Sequence, residues 1–323
     1  ALHRALDYNT IIPVYVFDSH WFGETAFGFP KTGPHRGRFL LETLQNLRDN
    51  LQRRGADLIV RQGKTDLILA ELVEEHEASI IFTEKEVTSE EVSIEEAVMK
   101  HVNAGVEFTK GRMFFHPDDI PYNSESIPKV FTNFRKQLEK KSSVRQQFPT
   151  PEVMPETGVD KPGDLPSIKA FGVSAPPSED RAVFPFNGGE DEGLKRLKRY
   201  FWKKDQLKNY KFTRNGLLGS DYSSKFSPWL ANGSLSPRRI YWEVKKYEEE
   251  RNKNVSTYWM IFELIWRDFF RYSAMKYGDA IFKQGGIKQK DRNWRGDEKD
   301  FRRWAEGRTG IPFIDANMRE LNK

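Results

Sequence analysis

At helical spacing, Trp259, Glu263, Trp266, Arg267 and Phe270 fall at i, i+4, i+7, i+8 and i+11, so two indoles, a carboxylate and a guanidinium share one helix face. A carboxylate set among aromatics is costly unless it is paired or protonated, and Arg267, one turn later, is the expected partner. Two readings stay open. In one, the stripe is core and the Glu263–Arg267 pair only fixes packing. In the other, Trp266 stacks on a flat ligand while Glu263 hydrogen-bonds its polar edge. Upstream, Asp221-Tyr222-Ser223-Ser224-Lys225-Phe226-Ser227-Pro228 joins hydroxyls and a lysine to an expected helix start, a pattern suited to a phosphate or pyrophosphate. Simple capping by Ser227 with Pro228 at the first helical position is the alternative.

Composition removes several other chemistries. The 323 residues include no Cys, hence no thiolate nucleophile, thiolate zinc site or Cys-bound iron–sulfur cluster. The six His (His3, His20, His35, His76, His101, His116) all lie in the first half, so chemistry in the second proceeds without imidazole. HExxH, GxSxG and Walker patterns are absent, and the hydrolytic and metal-based classes recede. No run approaches the ~18 to 20 apolar residues of a membrane span. Charge is uneven: residues 1–180 hold 21 Lys and Arg against 28 Asp and Glu, whereas residues 181–323 hold 31 against 19 and seven of the eight Trp. A basic, indole-rich half suits a nucleic acid or phosphate-bearing ligand, with a solvated basic surface as the alternative.

The elements that must position these residues follow from periodicity. Strands at 11–17, 58–60, 79–82 and 106–108 alternate with helices at 36–54, 65–76 and 88–103, which predicts a doubly wound parallel α/β sheet over residues 1–115. Within the first helix Leu40, Leu44, Leu47 and Leu51 recur at helical spacing, and Gly55 closes it. Residues 116–189 hold eleven of the 17 Pro and read as a connector with one helix at 128–141. Residues 190–323 read as all helix: a basic amphipathic helix at 193–202, starts at Ser227-Pro228 and Ser236-Pro237, a long helix at 257–275 and a last one from Ile311. The chain opens on a helix fragment without a preceding strand and ends inside a helix, so both domains read as truncated.

Thr213-Arg214-Asn215-Gly216, Tyr222 to Leu230, Leu235-Ser236-Pro237-Arg238, Phe262 to Phe270, Gly307-Arg308-Thr309-Gly310-Ile311-Pro312 and Ile314 to Leu321, with Phe29-Pro30-Lys31-Thr32-Gly33-Pro34 near the front, form an ordered set of stretches. Together they resemble the photolyase/cryptochrome superfamily, and more closely its cryptochrome DASH branch. The matches run in order along nearly the whole chain.

The resemblance implies an α/β domain followed by a helical FAD-binding domain, an antenna pterin (methenyltetrahydrofolate), and blue-light electron transfer that splits cyclobutane pyrimidine dimers in single-stranded DNA. It implies that Tyr210 and the loop residues Ser223, Ser224, Lys225, Phe226 and Ser227 contact FAD, the loop through the pyrophosphate, and that Arg267 faces the flavin. Glu263 would hydrogen-bond the dimer's pyrimidine edge, Trp266 would stack against the flipped lesion, and Arg214 would meet a DNA phosphate. Trp294 resembles the outermost member of a tryptophan wire. Lys31 and Glu90 fall near antenna contacts, with plain surface charge as the alternative. RNA is a further nucleic-acid partner, the expected state is a monomer without membrane contact, and other flavin contacts would lie beyond Lys323. Light-driven chemistry of a bound flavin needs neither imidazole nor metal from the protein, and a Trp-plus-carboxylate pocket suits a flipped base. Two alternatives stand beside repair: a blue-light photoreceptor that binds FAD without repair, and a nucleic-acid-binding protein without catalysis.

Overall fold

One helical turn, α1 (Leu2–Ala5), precedes two parallel strand pairs in the computed structural model, which describes residues 1–155, 157–176 and 182–322. Pro177 of the connector and Lys323 lie outside those residues. β1 (Val14–Asp18) is followed by α2 (Ser19–Phe22) and α3 (Pro34–Gln52), then β2 (Ile59–Gly63), with Val14 opposite Ile59 in a parallel register. α4 (Thr65–Glu75) leads to β3 (Ile80–Glu84), and α5 (Ser89–His101) returns the chain to β4 (Gly105–Thr109), with Ile80 opposite Gly105. The apolar strands thus pair with parallel crossovers as their lack of alternation predicts. Among the described residues the strands form two parallel pairs, β1 with β2 and β3 with β4, and no ladder joins the pairs.

The proline-rich segment is a strap shared by two cores. Its first part joins the helical core: Ile127 and α6 (Phe131–Lys141), following Met113, Phe114 and Phe115 just ahead of the segment, belong to one cluster with Leu197, Tyr200, Trp229 and Leu264. Its second part returns to the α/β core, where Met154 N–H donates to the Arg54 carbonyl at 2.8 Å and Val60 N–H to the Pro162 carbonyl at 2.7 Å. Phe171 stacks on Phe22 with ring centres 4.4 Å apart. Prolines hold the backbone extended and leave carbonyls free to accept, which suits a strap laid over existing surfaces.

The helical part begins with α7 (Glu190–Lys198), whose expected continuation to Trp202 widens into a π-turn at Arg199–Lys203. That turn buries Tyr200 and Phe201 while the Trp202 indole N–H donates to Glu243 at 2.7 Å. α8 (Tyr210–Thr213), α9 (Ser227–Asn232) and α10 (Pro237–Glu250) follow. Ser236 caps α10, accepting from Arg238 N–H at 3.2 Å. Ser227 does not cap α9: it is the first helical residue, and Phe226 stands at the cap without a side-chain bond.

α11 (Val255–Tyr277) starts with a capping box between Asn254 and Thr257. One face is bolted to the loop after β4. Asp268, 0% exposed, accepts from the Phe114 and Phe115 N–H groups at 3.0 and 2.8 Å, and Tyr272 donates its hydroxyl to the Phe115 carbonyl at 3.0 Å. Arg271 reaches the Lys85 carbonyl and Lys276 the Ile127 carbonyl. Residues Ala1–Gly278 form one compact unit. Asp279–Lys323 form a second, containing α12 (Glu298–Ala305) and α13 (Pro312–Leu321). There Asp315 accepts from Thr309 N–H, Thr309 Oγ1 and Gly310 N–H at 2.7, 2.6 and 3.0 Å, tying the Gly307–Gly310 turn to α13.

Candidate functional site

Because α8 packs along α11, Tyr210, Arg214 and Glu263 come together. Arg214 Nη1 lies 2.8 Å from Glu263 Oε1, with both side chains 31% exposed. The Tyr210 phenol is buried and pushed up to about 12, first by burial and next by the Glu263 carboxylate, while Arg214 and a hydrogen bond with Ser224 work the other way. Arg267 is therefore not the partner of Glu263. It donates from Nη1 to the Arg112 carbonyl at 2.9 Å and from Nη2 to the Leu230 carbonyl at 3.4 Å. Glu263 faces α8 on one side of α11, whereas Arg267 turns to the loop that Asp268 holds, and a through-space neighbour takes the place of the i+4 neighbour.

Trp266 stacks on Phe131 with ring centres 3.5 Å apart and planes 7° from parallel, and lies 5.6 Å from Phe270. The face on Phe131 is covered, so any flat ligand must use the remainder of the indole. Trp259, also on this stripe, stacks on Phe262 and lies under Lys211, and its indole N–H is buried without a partner among the described residues.

The 220–227 loop is shaped from behind by a residue that sequence reasoning missed. Arg196, on α7 and 3% exposed, donates to the carbonyls of Ser220, Ser223 and Ser224 at 3.0, 3.0 and 2.9 Å and to Asp221 Oδ1 at 2.6 Å. Thr213 Oγ1 donates to the Tyr222 carbonyl at 2.8 Å. The carbonyls point into the protein, while the N–H groups of Ser223, Ser224, Lys225 and Phe226 have no protein acceptor among the described residues. Lys225 sits at φ 56°, a left-handed conformation uncommon outside glycine. Successive free N–H groups around such a residue form an anion-binding concavity. α9, whose start the sequence marks by Ser227-Pro228, is only 6 residues long, so an anion at this place would meet chiefly the loop N–H groups. The basic run in 193–199 was visible in sequence; nothing there singled out Arg196 as its one buried member.

In the α/β part, Lys31 Nζ lies 2.5 Å from Glu90 Oε1 and 2.8 Å from His20 Nε2, and sits over the Trp21 ring at 4.5 Å. These two anticipated residues are thus brought together. Trp294 belongs to the second unit, in a loop, 56% exposed, with the Arg292 guanidinium 5.9 Å from its ring centre.

Parallel strands under helical crossovers, followed by a helical module holding this loop, define a photolyase-type fold. The model of the DNA photolyase family matches residues 1–153, and that of the FAD binding domain of DNA photolyase matches residues 259–323. The chain belongs to the photolyase/cryptochrome family, in its cryptochrome DASH branch. It is similar to cryptochrome DASH of Gloeobacter violaceus (46% identity over 99% of this chain and 65% of the relative) and of Xenopus laevis (45%, over 99% and 62%). The solved cryptochrome of Synechocystis superposes with a TM-score of 0.95 at 44% identity, covering 99% of this chain and 67% of that one. A class III photolyase of Agrobacterium tumefaciens shares the fold, with a TM-score of 0.78 at 22% identity. The chain spans about two thirds of the length of the relatives it matches.

Proposed function

We propose that the protein is a FAD-dependent blue-light flavoprotein acting on cyclobutane pyrimidine dimers in single-stranded DNA. One observation carries the reading: an anion cradle at 223–226 lies beside the Tyr210–Arg214–Glu263 cluster, so a diphosphate-bearing cofactor and a polar base edge have adjacent places. The residues fit FAD, because the cradle offers N–H donors to a diphosphate without a fixed countercharge. Bound there, FAD supplies the light-driven electron. The chain's own residues bind, orient and exclude water. The free N–H groups of Ser223, Ser224 and Lys225 hold the diphosphate, assisted by the hydroxyls of Ser223 and Ser227, and buried Tyr210 and Phe226 wall the site. Arg267, held by the Arg112 and Leu230 carbonyls on another side of α11 from Glu263, would meet the flavin from there.

On meeting DNA, Arg214 exchanges Glu263 for a backbone phosphate, and the freed carboxylate accepts from the pyrimidine edge. Both steps are needed to replace the ion pair, which couples backbone binding to base recognition. Trp266, held rigid by Phe131, offers its uncovered part to the flipped lesion. Trp294 serves as an outer electron relay. Methenyltetrahydrofolate docks at Lys31 and Glu90, with Trp21 as a stacking surface, and RNA is a further single-stranded partner of the basic half. The expected state is a monomer. A blue-light receptor without repair is the second reading, favoured by the engagement of Glu263 with Arg214 and of Trp266 with Phe131.

The test is an absorption spectrum of the purified protein, followed by blue illumination with dimer-containing single-stranded DNA. Bound flavin with light-dependent dimer loss supports repair. Flavin without dimer loss moves the assignment to the receptor, and salt-dependent DNA binding without flavin leaves a non-catalytic nucleic-acid binder.

A further inference from the structure

We propose that Arg196 is a positioning residue for the cofactor's diphosphate, and that the anion is held by backbone N–H groups that Arg196 presents, not by the Lys225 side chain. The proposal rests on the flavin reading above. A planar trans peptide sets each N–H antiparallel to the preceding carbonyl. With the carbonyls of Tyr222, Ser223 and Ser224 bound inward by Thr213 and Arg196, the N–H groups of Ser223, Ser224 and Lys225 must point outward together. A guanidinium only donates, in a rigid fork, so three carbonyls and one carboxylate match it and a lysine cannot reproduce the set.

The site behind the loop is built to hold this one side chain. Asp221 neutralises it, and its own carboxyl stays below the usual range because hydrogen bonds from Arg196 and the nearby Arg199 outweigh burial. The rings of Phe184 and Tyr200 lie 4.7 and 5.1 Å from the guanidinium carbon. Buried charge held this way fixes one backbone conformation, including the left-handed Lys225 that glycine would adopt without strain.

The experiment compares wild type, R196K, D221N and K225G for binding of FAD and of riboflavin, which lacks the phosphates, with thermal unfolding of the flavin-free proteins as the fold control. Expected is a loss in FAD affinity of about tenfold or more in R196K and a smaller loss in D221N, with riboflavin affinity within about twofold of wild type; K225G keeps FAD within about threefold. FAD affinity unchanged in both R196K and D221N overturns the proposal, as does a K225G loss equal to that of R196K. Equal loss of FAD and riboflavin with a lowered melting temperature in both variants assigns Arg196 a merely structural role and also overturns it. A wild-type protein that binds neither flavin sinks the functional reading itself, an outcome distinct from binding that survives without Arg196.

Discussion

Arg214, at the C-terminal cap of α8, and Glu263 on α11 meet at 2.8 Å, each about one third exposed. Solvent screening limits what such a pair adds to stability to about 0.2–1 kcal/mol. In the proposed function its importance lies in pairing two groups that would meet different parts of one ligand.

A double-mutant cycle with R214Q and E263Q in urea unfolding should therefore give a coupling below about 1 kcal/mol. In DNA binding the two variants separate. R214Q weakens damaged and undamaged single strands alike and flattens the salt dependence, while E263Q removes about 1–3 kcal/mol of preference for the dimer. Equal loss of lesion preference in both would contradict this division of labour.

Asp268 gives a pH dependence of stability. Its carboxyl rises from 3.8 to about 7, because burial outweighs the Phe114 and Phe115 N–H bonds and the nearby Arg267 and Arg238. The folded chain then keeps a proton that the unfolded chain releases. This contribution is full below about pH 3.8 and is lost as pH rises through about 7. D268N should cost about 1–3 kcal/mol at about pH 5, since an amide NH2 cannot accept the second N–H, and should lose less than wild type on going to about pH 8. Parallel urea midpoints for the two proteins across that interval would refute the titration.

Phe131 anchors Trp266 and also packs edge-on against Phe262 and Phe269. F131A should lower unfolding free energy by about 3–5 kcal/mol, and F131L should cost less because it keeps more of the volume. A loss under about 1 kcal/mol for F131A would show that the stack does not organise α6 against α11.

Glu90 is held below the ordinary carboxylate range, chiefly by the hydrogen bond from Lys31. What it adds to stability is present near neutral pH and fades as pH falls through its lowered value. Since the carboxylate is half exposed, E90Q should change unfolding free energy by less than about 1 kcal/mol. If Lys31 and Glu90 hold the antenna pterin, E90Q releases methenyltetrahydrofolate, read as lost near-ultraviolet absorbance. Full pterin retention would return the pair to plain surface charge.

The sequence by itself determined the alternation of strands and helices, the parallel pairing of apolar strands, the long α11 and the order of family motifs. These depend on local periodicity and on residue types such as Pro at helix starts, which act over a few residues. It also singled out Tyr210, Glu263 and the 223–227 loop, which the fold brings close together. Partners were another matter. Spacing along one helix suggested Arg267 for Glu263, but the partner is Arg214, at the end of α8 and 49 positions earlier in the chain, because α8 and α11 pack side by side. Arg196 looked like one cation in a basic amphipathic run until packing buried it behind a loop that begins 24 residues later. Asp268 was one letter in a motif until the chain after β4 delivered two N–H groups to it. The proline-rich segment read as a connector because its composition has no period, yet its side chains fill two separate cores. Element type follows from neighbours in sequence; the identity of a buried charge's partner follows from which surfaces meet, and only tertiary structure decides that.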